Sequence, residues 1–170
     1  MAPAVTVRRA EVGDVPQMAR VHVTCWQQTY RGLVPDSVLD DPGLLETRER
    51  FWTGALTDER WSRNRAAVAE LGGTVVGIAM AGPAQETDAT WDSELHLIYV
   101  DAAHHGSGAG PALLDAVLAP QESAAWWVAD HNPRAHAFMR KHGFAPDGRS
   151  RTEDGVRAVR WVRRTSSVAG

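Results

Sequence analysis

The stretch from Glu94 to Asp115 constrains this chain more than any other. Glu94-Leu-His-Leu-Ile-Tyr-Val100 is a run of β-branched, aromatic and large apolar residues, the composition of a strand ending at Val100. Gly106, Gly108 and Gly110 come next and let the backbone turn tightly. Pro111 then suits a first helical turn, and Leu113, Leu114, Val117 and Leu118 continue at helical spacing. A glycine loop feeding a helix N-terminus points backbone N–H groups at one spot, which is an anion site and most often a phosphate site. An ordinary glycine-rich turn between strand and helix would carry the same residues.

The commoner phosphate and nucleophile signatures fail here. A dinucleotide fingerprint needs a glycine three residues after Gly108 or Gly110, where Pro111 and Leu113 stand. No Gly-Lys-Ser/Thr triplet occurs, so a mononucleotide P-loop is excluded. A nucleophile elbow around Ser107 would need glycines at the positions of His105 and Ala109. A net charge of −3 without a basic run argues against nucleic acid as partner. With 170 residues, 44% hydrophobic and 23% charged, the chain is expected to form one domain over 1–170, with 165–170 as a frayed tail. A lone cysteine, Cys25, allows no internal disulfide and fits a reducing compartment. Neither a signal peptide nor a membrane span is evident, so a cytoplasmic location is expected, with no membrane partner. Seven histidines without a His-x-x-x-His pair give no ligand set, and no metal is expected.

Along the chain, Val5 to Ala10 reads as a strand. Met18, Val21, His22, Cys25, Trp26 and Thr29 then mark one face of a helix ending near Gly32. A second helical region starts at Pro35-Asp36, breaks at Pro42-Gly43 and resumes from Leu44 to Leu56. Arg65 to Leu71 and Thr74 to Ala81 flank Gly72-Gly73 as a hairpin. Gly82 to Ser93 is a polar connection leading into the central strand. After the helix from Pro111 to Leu118, Ser123 to Ala129 is a buried strand. Asn132 then caps a helix with Pro133 at its first position and Gly143 at its end. Turns are expected at Asp147-Gly148 and Asp154-Gly155, with a last strand from Val156 to Val162. The order βααβββαβαββ predicts an α/β domain, a mixed central sheet with helices on both faces.

His105-Gly-Ser-Gly-Ala-Gly110 resembles the pyrophosphate loop of the GNAT superfamily of acyl-CoA-dependent N-acyltransferases, Arg/Gln-x-x-Gly-x-Gly/Ala, departing from it at His105. Asn132-Pro-Arg-Ala-His-Ala-Phe-Met-Arg-Lys-His-Gly-Phe144 resembles the family's second motif, Asn-x-x-Ala-x-x-Phe-Tyr-x-x-x-Gly-Phe. Trp26 to Asp36 looks like the first helical hairpin, which commonly borders the acceptor pocket. The resemblance runs from Val5 to Val162 and implies splayed central strands and acetyl transfer from acetyl-CoA to an amine. It implies cofactor contacts from Ile98, Tyr99, Val100, His105, Gly106, Ser107, Gly108, Ala109, Gly110, Asn132, Phe138 and Met139. In the family, unpaired backbone groups at the positions of Ile98 and Val100 grip pantetheine and polarise the thioester. One N–H aimed at the developing oxyanion is worth roughly 3 kcal/mol of barrier.

An alkyl amine is neutral only to roughly one part in a thousand at pH 7, so a base helps. Glu94 stands where several family members carry their general base. Ideal strand alternation puts Asp92, Glu94, His96 and Ile98 on one face, with His96 as relay or substitute base. The plainer alternative is that Glu94 and His96 are solvent-facing polar residues at a strand end. Trp26 and Tyr30, four apart, share a helix face, either as a core stripe or as acceptor contacts together with Asp92. Glu86, Asp88, Asp92 and Glu94 form an acidic stretch that either attracts a cationic amine or is a solvated loop. His105 is expected to donate to a phosphate oxygen as a cation, so that CoA affinity weakens as pH rises from about 6 to about 8. Met139 replaces the tyrosine that protonates the leaving thiolate in many members. A thiol with reference pKa near about 8.5 can leave without an acid, so Met139→Tyr is expected to leave turnover similar or raise it. A water, His136 or His142 are the alternative acids. The leading expectation is a small-molecule amine acceptor. A protein amino group, a non-catalytic acyl-CoA-binding module and a homodimer stay open.

Overall fold

The computed structural model describes residues 3–164, so the expected tail at 165–170 lies outside the described residues. Seven strands form one mixed sheet. They are β1 (Thr6–Arg9), β2 (Arg65–Leu71), β3 (Thr74–Pro83), β4 (Ser93–Val100), β5 (Ala124–Ala129), β6 (Ala145–Glu153) and β7 (Val156–Arg163). Their order across the sheet is β1-β2-β3-β4-β5-β7-β6. Every neighbouring pair is antiparallel except β4 and β5, which run parallel because a helix carries the chain across between them.

Helices α1 (Val15–Tyr30), α2 (Asp36–Leu39) and α3 (Leu44–Thr57) precede β2, while α4 (Ala109–Val117) and α5 (Pro133–Lys141) flank β5 in sequence. The amphipathic stripe of α1 buries Met18, Val21 and Cys25 with Trp52 of α3 against Val68, Ile78 and Leu97. The opposite face of the sheet is covered by Leu113, Leu114 and Val117 of α4 and by Met139 of α5, packed on Trp126 and Trp161. The predicted mixed sheet with helices on both faces is therefore the observed one.

Local chemistry accounts for most boundaries. Gly72 (φ 58°) and Gly73 (φ 82°) turn the β2–β3 hairpin, and Asp154 (φ 51°) with Gly155 (φ 78°) turns β6 into β7. The Asn132 side chain accepts the Ala135 N–H, Pro133 opens α5 and Gly143 follows its end at φ 88°. Two expectations are corrected. Helix α4 starts at Ala109, before Pro111, with left-handed Gly108 (φ 88°) as its cap, and Pro111 still falls in the turn whose N–H groups have no helical acceptor. Asp147-Gly148 is a bulge inside β6 instead of a turn, since pairing passes from Pro146↔Trp161 to Ser150↔Val159 and leaves residues 147–149 opposite Arg160 alone.

Candidate functional site

The central strand carries an extra residue. Ala81 faces Leu95 and Met80 faces Leu97, so His96 is left without a partner on β3. A bulge of this kind reverses the facing of all residues beyond it. Leu95 accordingly packs with the α4 side of the core, while Leu97, two residues on, packs with the α1 side. The expectation that Asp92, Glu94, His96 and Ile98 share a face is therefore corrected. Glu94 and Ile98 lie on opposite faces, and His96 stands at the crossover.

Beyond the bulge the sheet opens. The parallel pairing of β4 with β5 covers Ser93↔Ala124, Glu94↔Ala125 and Leu95↔Trp126, and stops there. The Asp101 N–H donates to the Val76 carbonyl on β3, so the two-residue period of a strand turns the peptide groups of Ile98 and Val100 toward the gap. The splay expected of β4 and β5 is thus present. A cavity of about 670 Å³ fills the gap, bounded by β4 from His96 to Val100, by β5 from Trp126 to Ala129, and by the start of α5.

The glycine loop closes one end of this cavity. Among the described residues the N–H groups of Gly106, Gly108 and Gly110 find no protein acceptor, and that of Ala109 reaches only the Ser107 Oγ at 3.4 Å. Three free donors at the N-terminus of α4 form a cradle for an anion. Gly110 is further fixed by its neighbour, because a Cβ there would meet Phe138 at 3.2 Å. His105 turns its Nε2 to the Val100 carbonyl at 2.9 Å, inside the gap. A carbonyl only accepts, so Nε2 carries the proton, and only a doubly protonated ring would offer Nδ1 as a second donor.

Of the remaining sequence-predicted residues, Tyr30, Tyr99, Asn132 and Phe138 line the large cavity. Trp26, Asp92, Ser107 and Met139 line neither it nor the smaller one beside it. Trp26 packs on Tyr30 (ring centroids 6.0 Å apart) and under the Arg48 guanidinium (5.7 Å). Asp92 is tied to Ser123, whose hydroxyl it accepts at 3.1 Å. Met139 is corrected most sharply: at 0% exposure it belongs to the core beneath α5, not to the cavity wall. A tyrosine there would bury a hydroxyl with no partner and overfill the site. Met139→Tyr is now expected to lower stability by about 1–3 kcal/mol in urea unfolding, before any effect on turnover arises. Cys25 borders the cavity too, and burial, followed by the Asp101 charge, pushes its thiol up to about 12, leaving it protonated and unreactive.

Glu94 lies on the smaller cavity, of about 190 Å³, with His96, Glu86, Trp127 and Arg151. Its Oε1 accepts the N–H groups of Gln85 at 2.8 Å and Glu86 at 3.0 Å, which fixes the carboxylate and leaves Oε2 without a partner among the described residues. His96 lines both cavities and so stands between them. Desolvation holds the His96 ring below the ordinary histidine range, with the Glu94 charge pulling the other way. The acidic stretch is solvent-exposed at Asp88 and Asp92, as a solvated loop would be, but its carboxylates are tied down and do not stand as a free lure for cations. Asp88 receives both Nη groups of Arg160, and Asp147 receives its Nε at 2.7 Å. Arg160 is 5% exposed and also lies 4.6 Å from the Trp91 ring. Glu86 Oε1 accepts the Trp127 indole N–H at 3.0 Å. Trp127 and Arg151 were not legible as site residues, because the pairing of β4 with β5 brings Trp127 to Glu94 and the order β5-β7-β6 brings Arg151 over Trp127.

The family model described as the Acetyltransferase (GNAT) family matches residues 26–144. The chain is 30% identical over 134 residues, 76% of its length, to the uncharacterized N-acetyltransferase YuaI of Bacillus subtilis (strain 168), spanning 74% of that protein. A probable N-acetyltransferase of Mycobacterium tuberculosis is 29% identical over 153 residues, 87% of this chain and 84% of its own length. Two solved structures share the fold. A histone acetyltransferase HPA2 and related acetyltransferase from Corynebacterium glutamicum has a TM-score of 0.73 at 21% identity over 100% of both chains. The PaiA N-acetyltransferase of Thermoplasma acidophilum, solved with coenzyme A, has a TM-score of 0.71 at 14% identity, covering 95% of this chain and 99% of that one. Splayed central strands, a glycine cradle and the matching family model agree, and the chain belongs to the GNAT family of acetyltransferases.

Proposed function

We propose that this chain transfers an acetyl group from acetyl-CoA to the primary amine of a small molecule, by direct attack while both substrates are bound, in the cytoplasm. The observation that carries the reading is the end of β4–β5 pairing at Leu95↔Trp126, which leaves the Ile98 and Val100 peptide groups facing the same cavity as the free N–H groups of Gly106, Gly108 and Gly110. The glycine loop suits a pyrophosphate, and the strand edge suits an extended chain of amides. An N–H of that edge is placed to draw negative charge from the thioester oxygen as the amine attacks. Glu94 holds the amine's proton on its free oxygen, directly or through His96, which stands between the two cavities. The protonated Cys25 thiol favours direct transfer over an acyl-cysteine route. No helix among the described residues is long and apolar enough to cross a membrane.

The test is a thiol-release assay with acetyl-CoA and a panel of small amines, paired with thermal unfolding. CoA at a hundred times its Kd is expected to raise Tm by on the order of 5 °C, and at least one amine to release thiol. Stabilisation by CoA without release from any amine would replace this reading with a non-catalytic acyl-CoA-binding module.

A further inference from the structure

Two opposite charges face the 190 Å³ cavity without pairing to each other. Glu94 is held by the N–H groups of Gln85 and Glu86. Arg151 of β6 lies 4.2 Å from the Trp127 ring, and its ion pair among the described residues is with Glu153 at 3.2 Å, on the exposed outer side. A rim pair of that kind holds a guanidinium only weakly. The second acid of the cavity, Glu86, gives its Oε1 to the Trp127 indole, and its buried Oε2 lies 3.5 Å from the Arg160 guanidinium without a hydrogen bond among the described residues. Open to a ligand are the second Glu94 oxygen on one wall and, on another, a guanidinium whose ion pair among the described residues is the exposed one to Glu153.

A cavity built with separated charges fits a ligand that carries both. The geometry points to a small aminocarboxylate as acceptor, its amine on Glu94 and His96 and its carboxylate on Arg151; this rests on the acetyl-transfer reading above. The planar guanidinium, stacked by one face on Trp127 and paired through Nε with Glu153, keeps two Nη groups without a partner among the described residues, enough for two parallel bonds to a carboxylate. The size agrees. At a liquid share of about 30 Å³ per water, the cavity holds about six waters, the bulk of a small amino acid. Transfer forms the amide N–C bond, breaks the thioester C–S bond, and sends the amine's proton to Glu94, so the acceptor carboxylate takes no part beyond positioning.

The experiment compares acceptors that differ at one group: a set of L-amino acids, their methyl esters and the corresponding decarboxylated amines, with acetyl-CoA and thiol release as readout. The free acids are expected to exceed both partners in kcat/KM by about tenfold or more, mostly through KM. Arg151→Gln is expected to collapse that ratio toward one, and Arg151→Lys to keep part of it, with thermal stabilisation by CoA as the folding control. Amines or esters turned over as well as the acids, or an unchanged ratio in Arg151→Gln, would overturn the inference while leaving acetyl transfer standing. No release from any acceptor, the amines included, would overturn both.

Discussion

Glu94→Gln is expected to lower kcat by about two to four orders of magnitude while the KM for acetyl-CoA stays near the parent value. The substitution is a fine one for this site. A glutamine oxygen can still accept the N–H groups of Gln85 and Glu86, so the side chain keeps its place, and only the oxygen that would take the proton is lost. Steady-state kinetics on the best acceptor measures the effect, and a loss below about fivefold would remove Glu94 from the proton path. The pH dependence of kcat separates His96 from it. Partial desolvation lowers the pKa of His96, whose side chain still reaches solvent, and the Glu94 charge opposes that shift. If His96 relays the proton, the acid limb of kcat lies below about pH 6.5. It moves lower still in Glu94→Gln, which removes the charge that was holding the pKa up. A limb that moves upward in that variant excludes the relay.

Arg160→Ala is expected to cost about 3 kcal/mol of stability at neutral pH in urea unfolding. Arg160 reaches Asp88, Asp147 and Glu86 from almost full burial, and its removal leaves those carboxylates facing one another beside two tryptophans. The loss should shrink in acid. The hydrogen bonds from Arg160 lower the Asp88 pKa in the folded chain, so their stabilisation is present above the unfolded carboxylate value and fades as pH falls through the folded one. A difference between parent and variant that is the same at about pH 2 and about pH 7 would show that the arginine acts through packing on Trp91 and Trp127 instead.

What could be read beforehand was what chemistry writes locally. Asn132, Pro133 and Gly143 bracket α5 because caps act within one turn, and Gly72-Gly73 marks its hairpin because few residues accept those φ values. The glycine cradle was legible for the same reason. The bulge at His96 was not, since an unpaired residue is a property of the register with β3 and leaves no mark in Glu94 to Val100. Reading alternation straight through it placed Glu94 and Ile98 on one face. The partner of the acidic stretch was not legible because Arg160 lies 72 residues from Asp88 in sequence, and only the sheet order brings them together. Met139 matched a motif position but not its cavity, since the phase of α5 on the sheet decides which side chains turn outward. Arg151 came with no signal beyond being an arginine near a turn.

The seam between β4 and β5 has a mechanical consequence. Strands β1 to β4 form one plate and β5 to β7 another, joined by three residue pairs at one end. A molecule that pairs with Ile98 and Val100 adds rungs to that short ladder and braces the plates at the end where they part. Occupancy of the cleft and stiffness of the whole sheet are then a single equilibrium, in which the cosubstrate serves as a removable strand.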